Sequence, residues 1–147
     1  MLGRLRLVAP LAVVILGAGL AGAQDRVAHP RLHEALAELR EARKELQAST
    51  DNYPPGLKEQ ALTAVDNAAK SIKVILNVKG DDFRGLDRNP DFYRQYKDHP
   101  HLRAALNDLR EAHDELRKSK ADFGHYREQA VGDLEIAMGS IVLLMRN

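Results

Sequence analysis

The chain contains no cysteine and no tryptophan, and only three phenylalanines and four tyrosines occur in its 147 residues. The absence of cysteine excludes disulfide bonds, thiol catalysis, cysteine-ligated zinc, thioether-linked haem and a cysteine-linked lipid anchor. Packing of helices must therefore stabilise the fold.

The sequence also lacks an excess of either charge sign, since 22 Lys and Arg are interspersed with 21 Asp and Glu. Nucleic-acid-binding proteins cluster Lys and Arg to displace counterions from phosphates, so nucleic acid is not an expected partner. No nucleophile elbow, phosphate loop or dinucleotide fingerprint occurs. We expect a protein that is not an enzyme and that binds no cofactor.

Residues 1–23 have the order of a secretory signal peptide. Arg4 and Arg6 precede an uncharged stretch over residues 7–20, which is followed by Ala-Gly-Ala at 21–23. The stretch also approaches the length of a membrane-spanning helix, but Pro10 and the small residues favour cleavage near Ala23. The sequence thus predicts a periplasmic or secreted protein whose mature helical domain, residues 24–147, has no transmembrane segment.

The sequence repeats itself at a shift of 70 residues. Between residues 29 and 53, twelve of 25 positions are identical to those 70 residues later, and a slip of one residue then aligns 59–61 with 128–130. The repeat predicts a first hairpin over 29–78, a connector over 79–98 and a second hairpin over 99–147.

Apolar residues recur with helical period in both halves. Leu32, Leu39 and Leu46 are seven residues apart, with alanines between them, which is typical of an amphipathic helix. Pro30 and Pro100 suit the first position of a helix, and return helices are expected over 57–78 and 126–145. The sequence predicts an all-α four-helix bundle built from two duplicated antiparallel hairpins.

Aromatic residues concentrate in the connector, where Phe83, Phe92, Tyr93 and Tyr96 occur. They predict a strap packed across one end of the bundle. The acidic residues that flank the leucines are expected on solvated helix faces, paired with lysines such as Lys44 and Lys118; they are Glu38, Glu41, Glu45, Asp108, Glu111, Asp114 and Glu115.

Four histidines are the candidate metal ligands, although none has a decisive spacing: His29, His33, His99 and His101. His29 and His99 repeat at both helix starts, so they would either meet at one end of the bundle around a metal or anion, or cap free backbone N–H groups. His33 aligns with Arg103 and is expected on the surface.

The segment 99–116, with Asp-Phe-Gly-His at 122–125, resembles small exported bacterial helical proteins of unknown function that carry H-P-x-L-x-x-A-L-x-x-L-x-x-A-x-x-E-L. The resemblance implies export and helical hairpins, and it brings no activity. We therefore predict a non-enzymatic protein-interaction or envelope-associated module whose partner is another protein or itself. The alternative is a periplasmic four-helix bundle that binds a metal or small ligand; a chaperone is a minor possibility because L-T-x-x-Q motifs are absent.

Overall fold

A computed structural model describes residues 28–77 and 88–146 of the chain. The described residues form four long helices, α1 (Pro30–Ala48), α2 (Leu57–Leu76), α3 (Pro100–Lys118) and α4 (Tyr126–Met145), with a short 3₁₀ helix (Pro90–Gln95) before α3. They include no strand, so the predicted all-α class is confirmed for this part of the chain. The predicted signal peptide with its cleavage site, and Phe83, lie outside the described residues.

The starts of the helices follow from local sequence. Pro30 and Pro100 occupy the first turn of α1 and α3, where the missing N–H of proline costs no hydrogen bond. Gly56 precedes α2 with φ 79°, a left-handed conformation that a residue without Cβ adopts readily. The return helices begin near the expected positions, and α2 ends at Leu76, two residues before the predicted 78.

Each helix packs most extensively against a helix of the other half of the chain, α1 against α3 and α2 against α4. Contacts at the helix ends show that α1 and α3 run in opposite directions. His29 precedes α1 and lies 3.5 Å from Glu115 near the end of α3, whereas His99 precedes α3 and lies 3.6 Å from Glu45 near the end of α1.

One apolar core joins all four helices. Leu32, Leu39 and Leu46 of α1 are fully buried, as are Leu102, Leu109 and Leu116 of α3. Alanines between them, including Ala35 and Ala105, are also fully buried and let the neighbouring helix approach closely. The leucine stripe predicted from the sequence is therefore the core face.

The described part of the connector lies along the side of the α1–α3 pair. Arg88 reaches Glu38 and Asp108, both near the middle of their helices, and the 3₁₀ helix contacts α3. The predicted strap across one end of the bundle is therefore wrong for Phe92, Tyr93 and Tyr96, because their segment follows the helices lengthwise.

None of the helices in the described ranges is both long and apolar enough to cross a membrane.

Candidate functional site

Two glutamates cap the starts of α1 and α3 across the helix pair. Glu45 of α1 accepts hydrogen bonds from the backbone N–H groups of His101 (2.9 Å) and Leu102 (3.3 Å) at the start of α3. Glu115 of α3 accepts one from the N–H of Arg31 at 3.4 Å. The first N–H groups of a helix have no partner within it, and a carboxylate there also interacts favourably with the helix dipole.

His29 and His99 lie beside these caps, but their side chains donate no hydrogen bond to the helices that they precede. His29 and His99 adopt left-handed conformations with φ 59° and 50°, and neither side chain makes a capping hydrogen bond, so the predicted N–H capping by imidazole is wrong. Instead His29 lies 3.5 Å from Glu115, and His99 lies 2.7 Å from Asp51. The imidazoles thus pair with carboxylates.

His29 and His99 lie at opposite ends of the antiparallel α1–α3 pair. Because α1 has 19 residues and rises 1.5 Å per residue, these ends are about 28 Å apart. The structure therefore does not bring the two imidazoles together around one metal or anion. His33 lies one turn from His29 and is partly buried, which lowers the pKa of its imidazole.

His101, the fourth histidine, belongs to a buried polar cluster between the connector and the α1–α3 pair. The cluster consists of Glu38, Arg88, Tyr93, His101 and Asp108. Glu38 is 2% exposed and Asp108 is 5% exposed, so the predicted solvated positions are wrong for these two residues. The prediction holds on the outer faces, where Lys44 pairs with Glu41 at 2.7 Å and Lys118 with Asp114 at 3.8 Å.

Glu38 and Asp108 are related by the shift of 70 residues, and Arg88 lies between them. The Arg88 guanidinium donates to Glu38 at 3.3 Å and to Asp108 at 3.0 Å. Tyr93 donates its hydroxyl to Glu38 at 2.9 Å, and His101 Nδ1 lies 2.9 Å from the other Glu38 oxygen. These contacts hold the connector on the helices.

Burial has the largest effect on the pKa values of Asp108 and Tyr93 in this cluster. Burial raises the pKa of Asp108 to about 6, and the hydrogen bond and charge of Arg88 oppose the rise only in part. Burial and the hydrogen bond to Glu38 also raise the pKa of the Tyr93 hydroxyl. Removing charged groups from water costs more than their pairing returns in many proteins, whereas the loss of one partner leaves a buried charge uncompensated. Across the described ranges, no three His, Asp or Glu side chains are arranged to hold a metal ion.

The outward face of α4 carries exposed apolar residues, bordered by the exposed Glu135, and no other element among the described residues covers them. Ile136 is 59% exposed and Leu143 is 46% exposed, although Ala137, Ile141 and Leu144 of the same helix are buried in the core. Gly132 and Gly139 alternate with the exposed residues at spacings of four, three and four. We name Gly132, Ile136, Gly139 and Leu143 the α4 strip.

The corresponding face of α2 is mostly polar. The slip of one residue relates α4 to α2 at a shift of 69, so Ile136 corresponds to Asn67, and Gly139 to Lys70. Thr63 corresponds to Gly132, and only Val74, opposite Leu143, is apolar. Both helices pack similarly against the core, so packing within the fold does not require an apolar residue at these outward positions.

Nothing among the described residues explains the two glycines of the strip. A Cβ added at Gly132 or Gly139 would meet no atom within 4 Å, and neither glycine has a positive φ among the described residues. Glycine in a helix interior costs up to about 1 kcal/mol relative to alanine. Close approach of another backbone is the usual benefit of glycine on a helix surface.

Sequence reasoning placed much of α4 in the core and missed the strip. The signal was present, since residues 136–145 contain no charged residue and a helix that is apolar all round has more than one buried face. A shallow groove of about 380 Å³ between α2 and α4 exposes Val74 and Tyr126 but is lined by no residue of the strip. Its other lining residues are polar: Asn67, Lys70, Ser71, Gln129 and Asp133.

No family model matches the chain, and comparisons with curated proteins and with solved structures gave no match.

Proposed function

We propose that this chain is an exported, non-enzymatic antiparallel four-helix bundle of two duplicated hairpins that binds a helix of a protein partner through the α4 strip. The observation that carries the proposal is the exposure of two large apolar side chains, Ile136 and Leu143, on one outward face of α4. At the matched position of α2, Ile136 is replaced by the polar Asn67. Exposed apolar side chains that the fold does not need are typical of interaction surfaces.

The shape of the strip supports a helical partner. Its members follow a heptad spacing, and its large side chains alternate with glycines that leave shallow holes. A facing helix can insert large side chains over the glycines while Ile136 and Leu143 enter holes on its own surface. A flat sheet or an extended peptide would leave those holes unfilled.

The test is photocrosslinking in the cell with a photoreactive amino acid at position 136, and separately at position 67 of α2 as the matched control. We expect a crosslink from position 136 to one protein identified by mass spectrometry, and none to that protein from position 67. Ile136→Asn with Gly139→Lys, which copies the residues of α2, should abolish binding of the purified partner. Equal crosslinking from both positions, or binding unchanged in the double variant, would contradict the proposal.

A further inference from the structure

The α4 strip is complementary to itself when two copies of α4 lie side by side in opposite directions. With a two-fold axis level with the midpoint between residues 137 and 138, Ile136 of each copy faces Gly139 of the other. Leu143 then faces Gly132. Each large side chain therefore meets a glycine, in the layered arrangement of antiparallel coiled coils.

Charge at the ends of the strip favours the same arrangement. Arg146 follows α4, and Glu128 and Gln129 lie in its first turn. In the antiparallel pair, Arg146 of one copy lies beside Glu128 and Gln129 of the other. A parallel pair would instead place Arg146 beside Arg146, and glycine opposite glycine, which leaves gaps between the helices.

From these two complementarities we propose that the helix bound by the α4 strip is α4 of a second copy, which gives an antiparallel homodimer with two-fold symmetry. This inference rests on the proposed function, because it names the partner of the same surface. It also gives Gly132 and Gly139 a role, since each accepts a large side chain from the partner across a self-complementary interface.

The dimer is expected to be weak and concentration-dependent. The strip is a single helix face, so its interface is smaller than the roughly 1,600 Å² typical of stable complexes. Only Ile136 and Leu143 among its large apolar side chains would leave water in each copy. Both residues are about half exposed in the single chain, and they retain part of that surface for burial against the second copy.

Sedimentation equilibrium of the purified protein over a wide concentration range tests the inference. We expect a reversible monomer–dimer equilibrium and an association constant at least about tenfold lower in Gly139→Leu, which fills the hole that accepts Ile136. Lys70→Ala, at the matched position of α2, should leave the association constant unchanged. A protein that stays monomeric, or a dimer that Gly139→Leu does not weaken, overturns the inference.

The melting temperature of the same variant shows whether weaker dimerisation comes from a loss of folding. At position 139 no atom of the described residues lies within 4 Å of an added Cβ, and Gly139→Leu replaces glycine with a good helix former. Its melting temperature, measured at a concentration where the wild type is monomeric, should therefore rise while dimerisation falls. A lower melting temperature together with weaker association would overturn the account of Gly139 as an interface hole.

The direction of pairing can be tested because the chain has no natural cysteine. When the single variants Ile136→Cys and Gly139→Cys are mixed and oxidised, a disulfide bond should join residue 136 of one copy to residue 139 of the other. Bonds that join 136 to 136 overturn the antiparallel arrangement. If the purified protein is monomeric but position 136 crosslinks in the cell to a different identified protein, self-pairing fails and the proposed function stands; if neither contact forms, both fail.

Discussion

Asp108 should make the stability of the protein depend on pH in a direction opposite to that of an ordinary surface carboxylate. Its side chain is buried, and burial raises its pKa from 3.8 to about 6 despite the nearby Arg88. One pKa unit corresponds to about 1.4 kcal/mol. The rise therefore corresponds to about 3 kcal/mol in the free energy of unfolding, as an order of magnitude.

The sign follows from proton binding. The folded protein holds the Asp108 proton more tightly than the unfolded chain does, so this contribution to stability is fully present below about pH 4 and is lost as the pH rises through about 6. Asp108→Asn removes the titration. We expect the stability of the variant relative to wild type to increase by up to about 3 kcal/mol between about pH 4 and about pH 7.5.

Urea unfolding followed by circular dichroism across this pH range provides the measurement. His33 acts in the opposite direction, because burial lowers its pKa and its contribution is lost as the pH falls below about 6.5. Both proteins contain His33, so its effect cancels in the difference. Asp114→Asn is the control, since that side chain on the same helix is 65% exposed. The reasoning is refuted if the Asp108→Asn difference varies with pH no more than the Asp114→Asn difference.

Three further substitutions test the contacts of the core and caps by urea unfolding at neutral pH. Arg88→Met leaves two buried carboxylates without their cation and should cost about 3–5 kcal/mol; a loss under about 1 kcal/mol would contradict the role of the cluster. Glu45→Ala should cost about 1–2 kcal/mol and more than Glu115→Ala, because Glu45 accepts two backbone hydrogen bonds and Glu115 one; equal losses would argue against cross-helix capping. Leu109→Ala should cost about 2–5 kcal/mol, whereas Leu143→Ala should change monomer stability by less than about 0.5 kcal/mol; similar losses would contradict the assignment of Leu143 to the surface.

The helices could be predicted from the sequence because their signals are local. Leucine spacing identified the core face, and proline at positions 30 and 100 identified the first turns of α1 and α3. The glycine at position 56 marked the turn before α2. Each of these features depends on residues a few positions apart, so no tertiary information was needed.

The polar contacts could not be predicted because they join residues far apart in the chain. Glu45 and His101 are 56 residues apart, and Arg88 and Glu38 are 50 residues apart. Glu38 directly precedes Leu39 of the leucine stripe, as Glu45 directly precedes Leu46, so its place on α1 alone does not predict burial. Only the path of the connector along α1 and α3 buries it, and that path follows from tertiary packing.

The location of the strip was hidden for a different reason. Core leucines and exposed leucines have the same residue type, and α4 carries both around its circumference. The absence of charge over residues 136–145 indicates that more than one side of α4 is apolar, but position relative to neighbouring helices decides which side is buried. The polar residues at the matched positions of α2 show that the outward positions of α4 need not be apolar for packing.

The two halves of the chain share the residues that cap the helices but differ at outward positions of α2 and α4. In the reciprocal caps His29 pairs with Glu115 and His99 pairs with Glu45. The two histidines are 70 residues apart, and so are the two glutamates. Each end of the antiparallel pair carries such a cap, so the same residues act twice in the fold. Interaction with a partner makes no such demand, because one face suffices. The change from Asn67 to Ile136 on outward faces is therefore the difference expected where only one half of the chain binds a partner.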